Sequence, residues 1–259
     1  MARLTFLGTG GSAATADRDA TSVLVRAGAD LVLVDCPGGA GAKIRRAGED
    51  PLDVACLLLT HVHPDHVHGL PGYVHGLMLR DHVVRLFGSP ESCAFAARLL
   101  DLFGLREAKF KTRVEFVALE PGLPARPSGR LEITAFKTPH HASSLAFLVR
   151  LVEEDKLVVF SGDTPLYPFH FDRARGADWL VHDCAAPSRF FDEYPALAVR
   201  HTSAFDLGRA AAAAGVGGLI PCHFLAGDLA FPIADVEAEI RRSYSGVLII
   251  PEDFARVEI

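Results

Sequence analysis

The chain contains few cysteines, and it has no apolar stretch long enough to cross a membrane. Its five cysteines stand singly among 259 residues, a pattern that argues against a disulfide framework and favours a reducing compartment. The longest segment without a formal charge, residues 210–227, is rich in glycine, and it predicts a helix end, a turn and a buried strand. The first residues read as a strand and lack the apolar region of a secretory signal. We therefore expect a cytoplasmic protein with no membrane association.

Basic residues are also fewer than acidic ones. The sequence has 26 Lys and Arg against 32 Asp and Glu, a formal net charge of -6. This balance argues against a protein that binds nucleic acid through a broad basic surface, although it leaves room for a small phosphodiester substrate. With 49% hydrophobic and 22% charged residues, the composition excludes intrinsic disorder and predicts a substantial core.

Short apolar runs alternate with helical patterns along the whole chain, and no linker or charge block divides it. Several runs are continuously apolar, which favours strands covered on both faces. We expect one α/β domain spanning residues 1–259, with two sheets and helices outside them. Ser203, three residues before Asp206, predicts the start of a helix. The Pro- and Gly-rich residues 121–129 predict a surface loop.

A cluster of ligand-type residues directly follows one apolar strand, in the sequence His61-Val-His63-Pro-Asp65-His66. Two histidines at positions i and i+2 of an extended segment point to the same side and can bind one ion. Pro64 ends the strand, so Asp65 and His66 can turn toward a second ion. A histidine-rich solvated loop is the alternative interpretation, but four such residues within six positions argue against it.

Three other strand ends carry further candidate ligands. His140 and His141 follow one strand, Asp163 follows the next, and His223 follows a strand near the C-terminus. Each alone could be a capping group. Together with the first cluster they predict a metal centre, in which the carboxylate of Asp163 could bridge two ions.

This set of motifs resembles the metallo-β-lactamase superfamily, and the resemblance runs from Leu7-Gly-Thr-Gly-Gly-Ser12 to His223. It implies a four-layer αββα sandwich, an α/β fold, with a dinuclear site. The first ion would be held by His61, His63 and His140, and the second by Asp65, His66 and His223, with Asp163 bridging. The choice between His140 and His141 stays open, and the spacing to the next strand favours His140. The resemblance implies two Zn²⁺ ions, with Mn²⁺ or Fe²⁺ as alternatives.

Within the superfamily, the chain is most similar to the RNase Z, arylsulfatase and cyclic-phosphodiesterase branch. Asp163 stands where true β-lactamases have a cysteine, which argues against antibiotic hydrolysis. In that branch an acidic residue and a histidine donate a proton to the leaving group, and the matching residues are Asp183, in place of the usual Glu, and His201. Asp65 would be both a ligand and the residue that orients the attacking water. The alternative for His201 is a cap on the helix near Ser203.

The resemblance therefore implies a metal-dependent hydrolase, with a small anionic ester or phosphodiester as the expected substrate. A tRNA 3′-processing endoribonuclease is one alternative, but the tRNA-clasping arm of such enzymes is replaced by the short acidic segment of residues 151–156, so tRNA is not the expected substrate. A metal-binding sensor without turnover is another alternative. The sequence leaves open whether the protein forms a homodimer.

Overall fold

Two β-sheets of seven strands each form the centre of the molecule. The computed structural model describes residues 2–259, with the side chains of residues 168–170 outside the description. In chain order the strands are β1 (Arg3–Gly8), β2 (Ser22–Ala27), β3 (Asp30–Val34), β4 (Val54–Leu58), β5 (Val83–Gly88), β6 (Arg113–Ala118), β7 (Pro124–Ser128), β8 (Leu131–Lys137), β9 (Leu145–Leu151), β10 (Lys156–Phe160), β11 (Trp179–Asp183), β12 (Gly218–Cys222), β13 (Val247–Leu248) and β14 (Arg256–Glu258).

Both sheets are mixed and share one plan. The first sheet has the order β14-β1-β2-β3-β4-β5-β6 and the second the order β13-β12-β11-β10-β9-β8-β7. In the first sheet the strands from β14 to β3 pair antiparallel and those from β3 to β6 pair parallel. In the second, β7 to β10 pair antiparallel and β10 to β13 pair parallel. Each parallel half therefore brings the carboxyl ends of several strands to one edge.

Helices connect the strands and cover the outer faces of the sheets. They are α1 (Ala40–Arg46), α2 (Pro64–Val67), α3 (Leu70–Leu77), α4 (Pro90–Leu102), α5 (Pro168–Arg173), α6 (Arg189–Glu193), α7 (Ala204–Ala214), α8 (Ala226–Leu229) and α9 (Ile233–Arg241), with 3₁₀ helices at Pro51–Asp53 and Pro195–Val199. The side chain of Ser203 accepts a hydrogen bond from the backbone N–H of Asp206, at 3.2 Å, which caps α7 as predicted.

The core is divided by the alternation of side chains along the strands. On β4 and the residue that follows it, Cys56 and Leu58 face the space between the two sheets, whereas Leu57 and Leu59 face the helices. Ile44 of α1 and Val74 of α3 cover the first sheet. Helices α7 and α9 cover the second in the same way. The predicted four-layer αββα sandwich is thus confirmed.

The structure corrects one prediction. Residues 121–129 are not a loop throughout, because Pro124–Ser128 forms β7, which pairs antiparallel with β8. Strand β7 is the last of its sheet, so Pro127, which has no N–H to donate, is tolerated there.

All five cysteines are buried and free. Among residues 2–259, no helix combines the length and the apolar character that crossing a bilayer requires.

Candidate metal centre and active site

The predicted site residues meet at one end of the sandwich, where strands of both sheets end. His61, His63, Asp65 and His66 follow β4, and His140 follows β8. Asp163 follows β10, Asp183 is the last residue of β11, and His223 follows β12. The carboxyl ends of parallel strands are the usual position of sites in α/β folds.

The turn at Pro64 separates the residues after β4 into two groups. His63 is extended, at φ -63° and ψ 150°, and Pro64 begins α2. Proline suits this first helical position because its fixed φ is helical and its N–H is not needed there. His61 and His63 therefore lie on extended chain, while Asp65 and His66 lie on the helical turn.

The first group contains His61, His63, His140 and Asp163, whose donor atoms all lie within 4.8 Å of one another. The Nδ1 atom of His63 is 3.0 Å from Nε2 of His61 and 3.1 Å from Nε2 of His140. Tetrahedral zinc with bonds of about 2.0–2.1 Å separates neighbouring donors by roughly 3.3 Å. The observed spacing therefore fits an ion of this size.

The second group contains Asp65, His66 and His223. The Oδ2 atom of Asp65 is 3.5 Å from Nε2 of His66 and 3.4 Å from Nε2 of His223. The Nε2 atom of His66 is buried and has no hydrogen-bond partner among the described residues. A buried nitrogen without a hydrogen-bond partner, facing two carboxylates and another imidazole, is suited to ligate a metal ion.

Asp163 lies between the two groups. Its Oδ2 atom is 3.7 Å from Nε2 of both His61 and His140 in the first group. The same oxygen is 3.4 Å from Nε2 of His66 and 3.1 Å from Nε2 of His223 in the second. A single carboxylate oxygen thus contacts both groups, as a bridging ligand would.

The histidines of the first group are held neutral. Burial lowers the pKa of His61 well below its ordinary value, and the neighbouring His66 lowers it further. Burial also lowers the pKa values of His63 and His140. Neutral imidazole is the form that binds metal, so these three side chains are ready to act as ligands near neutral pH.

The second group behaves differently because the carboxylates dominate. Burial opposes the charged form of His223, but Asp163 and the contact with Asp65 outweigh it and raise the pKa of His223 to about 9. The pKa of His66 is raised in the same way, with Asp163 and Asp35 outweighing burial. Burial alone would raise the pKa of Asp163, but His223 and His66 hold it well below its usual range.

Asp35, which the sequence analysis missed, orients the ligands from behind. Its Oδ2 atom is 2.8 Å from Nδ1 of His66, and the same carboxylate accepts hydrogen bonds from the backbone N–H and the hydroxyl of Thr60, both at 2.8 Å. Asp35 is buried and has a left-handed backbone, at φ 58°, as does His223 at φ 65°. A carboxylate behind a ligating histidine fixes its ring and tautomer. An acidic residue directly after the apolar run of β3 was the available signal.

The structure places His140 inside the first group and leaves His141 outside it. The Nδ1–H of His140 donates to the backbone carbonyl of Arg200 at 2.8 Å, which directs its Nε2 toward the centre. The guanidinium of Arg200 in turn donates to the carbonyl of His140 at 2.5 Å. The reciprocal contact fixes the segment before His201 against the loop that carries His140.

Asp183 and His201 form a pair at the edge of the centre. Nδ1 of His201 is 3.0 Å from Oδ2 of Asp183, which also accepts a hydrogen bond from the N–H of Thr164 at 3.0 Å. The other oxygen of Asp183 is 3.7 Å from Nδ1 of His223. The ring of His201 stacks on that of His223, with centroids 5.2 Å apart. The shorter Asp therefore reaches His201 directly.

Four further histidines among the described residues belong to none of the donor groups. His68 and His75 are exposed, His82 is half-buried, and His182 is buried on β11 with Nδ1 2.8 Å from the carbonyl of Asp183. The side chain of His170 lies outside the described residues.

The fold and this site define the class of the protein, a metal-dependent hydrolase of the metallo-β-lactamase fold. Within that class the chain belongs to the family described as "Anti-Pycsar protein Apyc1", whose sequence model matches residues 2–198. The predicted superfamily is confirmed.

One curated relative is similar to this chain along almost its whole length. A protein named "Ribonuclease Z" from Methanosarcina mazei is 24% identical and covers 100% of this chain and 98% of its own length. That alignment runs over 310 positions against the 259 residues of this chain, so the relative carries about 50 residues that this chain lacks.

Solved structures of low identity share the fold. The metallo-β-lactamase fold protein YhfI from Bacillus subtilis is 20% identical, with a TM-score of 0.82 and 100% of both chains covered. A diphosphatase from the PhnP family is 18% identical, with a TM-score of 0.74, covering 100% of this chain and 98% of its own.

Proposed function

We propose that this protein is a dinuclear metal-dependent phosphodiesterase that hydrolyses a small phosphodiester, cyclic diesters included. One observation carries the proposal. Asp163 contacts histidines of both donor groups, and the Asp183–His201 pair lies directly against them. Ligand and proton-donor groups therefore occur together, as hydrolysis of an ester requires. We regard residues 1–259 as one hydrolase domain, since both sheets contribute to this site, and we assign it to the cytoplasm.

Seven residues would hold the ions, and their chemistry suits zinc. Imidazole and carboxylate donors are the set that Zn²⁺ accepts, with Mn²⁺ or Fe²⁺ as alternatives. The ligands of the proposed dinuclear centre are His61, His63, His140, Asp65, His66, His223 and the bridging Asp163. When bound, the ions would supply Lewis-acid stabilisation of the attacked phosphoryl group and lower the pKa of a coordinated water.

Asp65 would orient the attacking water, and His201 would protonate the leaving group. The Asp65 carboxylate is half-buried at the edge of the second group, where it can orient the attacking water. Because Asp183 accepts a hydrogen bond from Nδ1–H of His201, Nε2 of His201 remains available to protonate the oxygen of the leaving group. Asp183 itself fixes the ring, as the carboxylate does in other acid–base pairs.

A tRNA 3′-processing endoribonuclease is the second candidate, since proteins named Ribonuclease Z are similar along the whole chain. Against it stands the connection between β9 and β10, a four-residue turn at residues 152–155 with three acidic side chains. The turn leaves no room for an arm that could clasp a tRNA. A metal-binding sensor is disfavoured because a non-catalytic protein has no need of the Asp183–His201 pair.

A turnover screen tests the proposal. The purified protein, loaded with Zn²⁺ or Mn²⁺, is assayed with bis(p-nitrophenyl) phosphate, cyclic nucleotides, aryl sulfates, lactones and a tRNA precursor, while metal analysis gives the ions per chain. We expect two ions and diester hydrolysis, with both reduced in an Asp163→Asn variant. A wild-type protein that binds metal and hydrolyses none of the diesters would contradict the phosphodiesterase, and one that hydrolyses none of the substrates would leave the sensor as the better assignment.

A further inference from the structure

His141 lies beside the candidate metal centre and has no role in the proposed hydrolysis. It follows His140 directly, but its nitrogens belong to none of the donor groups. The centroid of its ring is 5.2 Å from that of His63, which is the least buried of the three histidines in the first group. His141 itself is exposed. It therefore lies on the solvent side of the centre, where a substrate would enter.

An unusual feature of this exposed imidazole is that it is held in place. Nδ1 of His141 is 2.8 Å from the hydroxyl of Ser143, a fully buried residue. The same Nδ1 accepts a hydrogen bond from the backbone N–H of Ser143 at 3.2 Å. The backbone N–H of His141 donates to the hydroxyl of Ser144 at 3.1 Å. Free surface side chains normally keep their rotamer entropy, so these contacts indicate that the position of the ring matters.

The loop that carries His141 is itself braced against the site. Thr138 donates from its N–H to the carbonyl of Ser144 at 3.3 Å and from its hydroxyl to the carbonyl of Asp163 at 3.3 Å. The ammonium of Lys137 donates to the carbonyl of Ala142 at 3.0 Å. The ring of His141 therefore keeps a fixed place relative to the bridging carboxylate.

The contacts also select the tautomer. A backbone N–H can only donate, so Nδ1 of His141 acts as the acceptor and Nε2 carries the proton. The free edge of the ring thus offers a hydrogen-bond donor beside the centre. A phosphodiester presents two non-bridging oxygens, both acceptors, and only one of them needs to face the metal ligands.

We infer that His141 is a substrate-recognition residue, whose Nε2–H donates to a non-bridging oxygen of the phosphodiester. The inference rests on the proposed function and deepens it, because it names the group that contacts the anion from the protein side. His141 does not serve as proton donor in this arrangement, since His201 occupies that role, and its loss leaves the metal ligands in place.

The test compares His141→Ala with a matched control, His75→Ala. The control removes an exposed histidine that lies on α3. For each metal-loaded protein we would measure metal per chain, the Kd of inorganic phosphate by calorimetry, and kcat and KM for bis(p-nitrophenyl) phosphate. A hydrogen bond to a charged acceptor predicts that His141→Ala raises both the phosphate Kd and KM about tenfold. We expect kcat to change less than about twofold, as uniform binding is lost. Metal content and the His75→Ala values should equal wild type, and His141→Gln, which keeps a donor, should recover part of the affinity.

Two outcomes would overturn the inference. Unchanged phosphate Kd and KM in His141→Ala would show that the ring does not contact the anion. Loss of a metal ion in that variant would make His141 a ligand instead. The phosphate measurement separates the two proposals, because weaker phosphate binding by His141→Ala supports recognition even where no diester is turned over and the phosphodiesterase assignment fails.

Discussion

At the scale of single residues, Asp65 is the carboxylate whose removal should stop the reaction without harming the fold. It lies at the start of α2 and packs into none of the three apolar clusters. We predict that Asp65→Ala lowers kcat for bis(p-nitrophenyl) phosphate by at least about 10²–10⁴-fold, the usual contribution of a positioned proton-transfer group. Circular dichroism should match wild type. A variant with near wild-type kcat at saturating metal would contradict the role.

His201 should matter in proportion to the basicity of the leaving group. p-Nitrophenolate leaves without a proton, whereas an alkoxide leaves poorly unless it is protonated. We therefore predict that His201→Ala slows hydrolysis of alkyl diesters by about 10²–10⁴-fold and of p-nitrophenyl diesters far less. The measurement is kcat across a series of leaving groups, with a steeper dependence on leaving-group pKa in the variant. Equal losses for all substrates would indicate that His201 has a structural role only.

His223 links metal binding to pH. Because its pKa in the metal-free protein is raised to about 9, His223 is mostly protonated at pH 8 and must lose its proton to ligate an ion. Metal binding at pH 8 should then release a proton from this residue, and affinity should rise with pH up to about 9. Calorimetry in two buffers of different ionisation enthalpy measures the release. An affinity independent of pH between 7 and 9 would contradict this assignment.

At the scale of elements, the ends of β3 and β4 act together through Asp35 and Thr60. We predict that Asp35→Asn weakens binding of the second metal ion by about 10–100-fold, the range for a carboxylate behind a ligating histidine. The readout is competition with a chelator, on protein shown to be folded. Asp30→Asn, at the other end of β3, is the control and should bind metal as wild type. An unchanged affinity in Asp35→Asn would show that His66 is oriented without it.

The same elements show what the sequence could and could not predict. The residues after β4 were predictable as a group because they are neighbours in sequence, and Pro64 forces the turn between them. For Asp35 the only signal was its position after an apolar run. Its role could not be predicted from that, because its partner His66 lies 31 residues away and only the pairing of β3 with β4 brings them together. Strand β7 was missed because proline and glycine signal a loop locally, whereas an edge strand tolerates proline.

At the scale of the whole molecule, the charge and the short β9–β10 turn bear on the choice between small diesters and tRNA. The turn carries Glu153, Glu154 and Asp155, and the chain as a whole has a net charge of -6. Glu153 pairs with Arg130 at 3.0 Å, and Asp155 pairs with Arg150, so nearby basic side chains are already engaged. Because these basic side chains are already paired, this face is poorly suited to bind a polyanion such as tRNA.

We therefore predict that bis(p-nitrophenyl) phosphate is hydrolysed while a tRNA precursor is cut slowly or not at all. Salt provides the discriminating measurement. An enzyme that contacts 6–10 phosphates loses about 10³–10⁵-fold in affinity between 50 and 200 mM salt, because each neutralised phosphate releases a counterion. A substrate with a single phosphate has no such series of contacts, so its kcat/KM should change only slightly over the same range. Efficient, site-specific cleavage at a tRNA 3′ end, with a steep salt dependence, would instead establish the endoribonuclease, and the acidic turn would then have to lie away from the bound RNA.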